Sequence, residues 1–340
     1  MKKILIVSTQ RPYYGGAATN AYALIKYFRS NGYDAAGLFY DNTKKSIDPD
    51  GIGGVFRYRR DATSRFQIRK SLGGDPDIIF AKNYAAPSMV KGVFPKPTLV
   101  YLVSGSPQMM DISARGSSAR RYLASKRSVS HTAEKSAVDV SDYVMPNSSI
   151  GRELLVKHYG DLDKITNPVN TSLARNFERR GIAFKDRKYD VAFICSNMGR
   201  SVKNAKLAKS IFLKLRIEKK IAIGLSHSMF DGIINTEHSG LLSNDKIMRI
   251  LCDTKLVICT SYYDASPNII SEALSCGSNI LISKNCGWSE IYPSKFVCED
   301  VYDEKEWIDK ARALIGANVR FSSSGEAGDV ISGIKEVLCD

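Results

Sequence analysis

Two successive α/β domains are predicted, each a largely parallel sheet covered by helices on both faces. Three observations predict them. Short, continuous apolar runs rich in β-branched and aromatic residues alternate with stretches of helical period, as strands buried on both faces do. A polar, aperiodic stretch at 171–188 interrupts the series, and the pattern then restarts. The length, 340 residues, is that of about two domains.

The elements follow in order. Residues 3–8 (KILIVS) are a first strand, ended by a polar turn and Pro12. Residues 15–31 read as a helix, with Ala21, Leu24, Ile25 and Phe28 at i, i+3, i+4 and i+7. Strands are predicted at 35–40, 77–81, 98–103, 142–146 and 164–167. Beyond the linker they recur at 190–195, 220–224, 256–260 and 279–283, with helices at 203–214, 244–252 and 267–276 and a tail helix at 325–338. The predicted division is 1–170, a linker 171–187, a second domain 188–320, and a tail 321–340 able to pack back on the first domain.

Composition excludes several classes. Hydrophobic residues are 44% and charged residues 25%, so the chain carries enough apolar surface to fold. No apolar run approaches the ~18–20 residues of a membrane span, and the apolar start stops at Ser8, too short for a signal peptide. A cytoplasmic protein is expected. All seven cysteines lie at or beyond Cys195, with no C-x-x-C pair, which fits reduced core thiols. None of the four histidines pairs with an acidic residue at a metal-ligand spacing; no metal or other cofactor is expected.

The net charge is +14, and residues 1–173 hold most of it, 25 Lys/Arg against 14 Asp/Glu. An anionic partner is therefore expected at the first half. Two basic stretches carry aromatic or apolar residues between the charges: 56–70, with Arg57, Arg65, Arg69 and Lys70, and 115–127, with Arg120 and Arg121. They suit an anionic glycolipid, a phosphorylated glycan or an anionic membrane surface better than nucleic acid, or else form a solvated face.

Three segments carry candidate chemistry. Gly15-Gly16 follow the first strand and open a helix, where backbone N–H groups can approach an anion; a plain strand-to-helix turn is the alternative. Arg200-Ser201-Val202-Lys203 follow the first strand of the second half. The most informative run is 261–291, S-Y-Y-D-A-S-P-N-I-I-S-E-A-L-S-C-G-S-N-I-L-I-S-K-N-C-G-W-S-E-I. Asp264 sits in a loop, Pro267 suits a first helical turn, Glu272 lies one turn into the helix, and Gly277 closes it.

That run resembles the E-x7-E region of retaining glycosyltransferases of family four (glycosyl transferases group one): E-G-F-P-N-x-x-x-E-A-M-A-C-G-x-P-V-V-A-T-x-x-G-G-x-x-E-I. Asp264, Pro267, Asn268, Glu272, Ala273, Cys276, Gly277, Gly287, Glu290 and Ile291 are in register. Residues 144–159 and the run K-I-T-N-P-V-N at 164–170 resemble further segments in the same order, so the likeness spans nearly the whole chain.

The resemblance implies a GT-B fold, two facing Rossmann-like domains with a cleft between them. It implies a retaining, metal-independent glycosyltransferase that moves a sugar from a nucleotide-sugar, a UDP-sugar as first choice, to a glycan or glycolipid. Glu272 would hold the ribose; Asp264 with Ala265, Ser266, Pro267 and Asn268 would position the sugar. Lys203 and Arg200 would balance the pyrophosphate, and Gly15 and Gly16 would lie near it. Ser104, Arg120 and Arg121 fall on the acceptor side. The chain departs from the pattern at three places. Asp264 replaces a Glu, Met198 stands where an Arg precedes the Lys by five, and Ser104-Gly105 stand where His-Gly is common. A sugar-nucleotide epimerase or hydrolase on the same scaffold, or a noncatalytic membrane- or nucleic-acid-binding relative, are the alternatives.

Overall fold

The computed structural model describes residues 1–10, 12, 16–40, 46–59, 62–104, 130–171, 182–319, 334, 337 and 338. Gly15, Arg120, Arg121, the basic stretch 115–127, most of the predicted linker and most of the predicted tail helix lie outside the described residues.

The chain forms two compact units. In the first, six parallel strands run in the order β3-β2-β1-β4-β5-β6: β1 Lys3–Ser8, β2 Asp34–Phe39, β3 Val55–Arg57, β4 Ile78–Lys82, β5 Thr98–Val103 and β6 Tyr143–Pro146. The strands alternate between two buried faces. Ile4, Ile6, Ile78 and Phe80 pack with Leu24, Ile25 and Phe28 of the helix Gly16–Ser30, and Ile334, Val337 and Leu338 join this cluster. Leu5, Val7, Ile79 and Ala81 face the helices Ala62–Leu72 and Ala86–Lys91 instead.

The second unit repeats the plan, with the order β12-β11-β10-β7-β8-β9. Its strands are β7 Tyr189–Asn197, β8 Lys220–Leu225, β9 Thr236–Ser239, β10 Thr254–Cys259, β11 Asn279–Ser283 and β12 Val297–Cys298, all parallel. In each sheet the chain winds outward in both directions from its first strand. The reversals fall between β1 and β4 and between β7 and β10. In open α/β sheets, ligands bind beyond the carboxyl ends of the strands at such a reversal.

Some elements differ from expectation. Residues 164–167 are not a strand; Ile165 makes only an isolated bridge to Val144. The strands β3, β9 and β12, at two to four residues, are too short to show a period. The helix expected at 203–214 begins at Ala205, because Asn204 takes a left-handed φ of 47° and separates it from a single 3-10 turn, Ser201–Lys203. The six described cysteines are free thiols, all buried but Cys195, which is half-buried. Among the described residues, no helix is long and apolar enough to cross a membrane.

Candidate functional site

The reversal in the second sheet brings Lys203 and Asp264 together. β7 ends in a tight turn. The Met198 N–H donates to the Leu225 carbonyl at 3.0 Å, and the Gly199 N–H to the Asn197 side chain at 2.8 Å. Gly224 at the end of β8 makes room for this turn. Its φ is +152°, and a Cβ there would lie 2.0 Å from the Cys195 carbonyl oxygen. Met198 is buried in the core, so its side chain cannot stand in for an arginine.

The loop after β10 is tied to the turn that carries Lys203. The Thr260 hydroxyl lies 3.1 Å from the carbonyls of both Lys203 and Asn204, and the Tyr262 N–H donates to the Val202 carbonyl at 2.9 Å. Asp264 is fixed by its backbone: it bridges Cys286, and its carbonyl accepts from Gly287 N–H at 2.7 Å. The Lys203 ammonium donates to Asp264 Oδ2, while Asp264 Oδ1 accepts from the Ser266 N–H at 3.3 Å. Burial works against the charge on Lys203, but the Asp264 carboxylate overrides it and holds the ammonium well above its ordinary range. Nearby, burial pushes the Cys195 thiol up to about 11.

The helix Asn268–Ser275 starts four residues after Asp264, with Pro267 at its N-cap and no capping side chain. Its first turn carries no acidic residue, so its N-terminal dipole stays available to an anion. Glu272 is buried on this helix, as are Ala265 and Pro267 before it, and Gly277 closes it at φ +71°. Ser266 and Asn268 are half-buried.

Arg200 is exposed at the head of the 3-10 turn and makes no ion pair among the described residues. Gly16 is exposed and opens the first helix. Ser104, after β5, donates to the Asn83 side chain. Sequence reasoning missed Thr260, whose hydroxyl positions the Lys203 turn, and Asn204, whose left-handed conformation separates Lys203 from the following helix. An asparagine just before a helical period is the available signal for such a break. Among the described residues, no three His, Cys, Asp or Glu side chains gather as metal ligands.

No family profile and no curated protein matches the chain. Solved structures do. Sucrose-phosphate synthase from Thermosynechococcus elongatus superposes with a TM-score of 0.69 at 10% identity, over 94% of this chain and 90% of that one. WaaG, a glycosyltransferase involved in lipopolysaccharide biosynthesis, gives 0.65 at 12% identity over 98% of each chain. An alpha-glucosyltransferase in complex with UDP and a 13-mer DNA gives 0.63 at 12% identity, over 100% of this chain and 99% of that one. The chain has the GT-B fold of these proteins, each unit being one of its Rossmann-like domains.

Proposed function

We propose that the chain is a nucleotide-sugar-dependent glycosyltransferase that acts with retention and without a metal ion, and whose first-choice donor is a UDP-sugar. The observation that carries this reading is the Lys203–Asp264 pair at the reversal of the second sheet, beside the uncapped start of the helix bearing Glu272. UDP in the alpha-glucosyltransferase complex supports the choice of nucleotide.

In this reading the bond from the sugar C1 to the donor's phosphate oxygen breaks through an oxocarbenium-like state. Negative charge grows on the departing diphosphate. The Lys203 ammonium, kept charged by Asp264, and the helix N-terminus stabilise it where it develops, with Arg200 adding charge from the rim. Asp264 and the backbone of 265–268 position the sugar, Gly15 and Gly16 lie near the phosphates, and Glu272 accepts hydrogen bonds from the ribose hydroxyls. The acceptor hydroxyl attacks from the side the diphosphate leaves, and its proton passes to a departing phosphate oxygen, so configuration is kept.

The acceptor is a glycan or an anionic glycolipid, met by the first unit at Ser104, Arg120 and Arg121, with the protein working in the cytoplasm on a membrane surface. On the helix Ala62–Leu72, Phe66 is 67% exposed between basic residues, which favours that surface. Arg65 and Arg69 share Asp75, which reduces their pull.

A thermal-shift panel of UDP, GDP, ADP and CMP, followed by UDP-sugar turnover with and without EDTA, tests the reading. UDP should raise the melting temperature, and turnover should survive EDTA. No shift with any nucleotide would defeat the proposal.

A further inference from the structure

At the reversal of the first sheet, β4 ends in a lysine. Lys82 pairs in register with Ser8 of β1 and Leu102 of β5. It continues the face of Ile78 and Phe80, and only 1% of it is exposed. Among the described residues its ammonium has one hydrogen-bond partner, the neutral hydroxyl of buried Thr171 at 2.7 Å. An ammonium has three donors, and a buried charge without a carboxylate is costly. Around it, the carboxyl ends of three adjacent strands carry a polar cluster. Asn83, at a left-handed φ of 75°, donates to the Thr9 hydroxyl at 3.0 Å and accepts from Ser104. All three are half-buried, unlike Lys82 itself.

We propose that this cluster is an anion subsite, with Lys82 as its buried cation and Thr9, Asn83 and Ser104 as its polar rim, which holds a phosphate monoester on the acceptor. The inference rests on the transferase reading only for the word acceptor; the anion site stands on the first unit alone. Burial holds the Lys82 ammonium down to about 7, with no carboxylate bonded to it among the described residues, so an arriving dianion would be met by a full positive charge and a bound proton. The basic excess of the first half favours the same class of ligand.

The test uses the whole chain and inorganic phosphate as the probe, followed by calorimetry and by NMR of 13Cε-labelled lysine. Wild type should bind phosphate, the Lys82 resonance should move toward the charged form, and Lys82→Met should bind about tenfold more weakly or worse. Met conserves the volume, and the UDP-induced thermal shift should be equal in both proteins. Phosphate affinity unchanged in Lys82→Met overturns the proposal. So does a Lys82 resonance unmoved by phosphate, a readout that needs no variant to fold. Phosphate displaced by saturating UDP overturns it too, since the anion would then belong to the donor site. Absence of any UDP shift bears on the donor reading and leaves the phosphate result to stand by itself.

Discussion

Both sheets reverse their order beside their first strand, and at both reversals stands a lysine, but the two lysines are held in opposite ways. Lys203 sits on a turn, 20% of its side chain exposed, in contact with Asp264, and its proton is held tightly. Lys82 lies within the last residue of a strand, buried, against a neutral hydroxyl, and its proton is held loosely. The difference is the carboxylate. With one beside it, the charge survives burial; without one, burial works to discharge it. A permanently charged lysine suits a step in which negative charge grows on a leaving group. A dischargeable one suits a ligand that comes and goes.

The largest expected effect is at the paired lysine. Lys203→Ala should lower kcat by about a hundredfold or more, as losing a donor to developing charge does. Arg200→Ala should cost less, since Arg200 is exposed and unanchored by any ion pair among the described residues. Steady-state turnover of a UDP-sugar checks the ranking. An arginine variant more damaged than the lysine variant would exchange their roles.

Next comes Glu272, on the same side of the comparison. Glu272→Ala should weaken UDP binding about ten- to a hundredfold, the worth of a charge-assisted hydrogen bond, and leave the far-UV circular dichroism unchanged. Titration calorimetry reads it, and wild-type affinity in the variant would remove Glu272 from the nucleotide site.

At the unpaired lysine the expected effect is on stability and changes with pH. The folded protein holds Lys82 at about 7 against an ordinary 10.5, so between those values the unfolded chain binds more protons. Stability therefore rises with pH through that window, and the penalty, about 5 kcal/mol at most, is complete below pH 7. Lys82→Met removes the penalty but leaves the Thr171 hydroxyl unpaired, at about 1–3 kcal/mol. By chemical denaturation the variant should be the more stable protein at pH 6, and its advantage should shrink by roughly 3 kcal/mol at pH 9, where about 2 kcal/mol of the penalty remains. An equal difference at both pH values would mean that Lys82 keeps its charge throughout.

The smallest effect concerns the basic helix face of the first unit. Binding to anionic vesicles should appear at low salt and fade as the Debye length falls from ~10 Å at 0.1 M to ~3 Å at 1 M. Phe66→Ser should weaken it severalfold. A preference for single-stranded DNA, with a steep log–log salt slope, would replace the membrane with nucleic acid.

The two regions also differ in how far the sequence reveals them. The site around Asp264 could be read in advance because its residues lie in one run of 31. The contact with Lys203 bridges 61 positions, and only the resemblance placed both residues at one donor, Lys203 at its pyrophosphate and Asp264 at its sugar; composition and period are blind to it. Lys82 lies just beyond the strand expected at 77–81, and its hydrogen-bond partner, Thr171, is 89 positions away. Long alternating segments were legible. The helix Glu304–Gly316 was missed although Trp307, Ile308, Ala311 and Leu314 repeat at helical spacing after an Asp303 N-cap. Local pattern reveals elements, whereas the crossing connections that decide which side chains share a strand end are set by topology.

Titration of UDP into the wild-type chain and into Lys203→Met is the most direct measurement of the central claim, that the reversal of the second sheet is a nucleotide-diphosphate site. Saturable binding by wild type, weakened about tenfold or more in the variant with its fold retained, is the predicted result. Absence of UDP binding to wild type, or equal affinity in the two proteins, would contradict it.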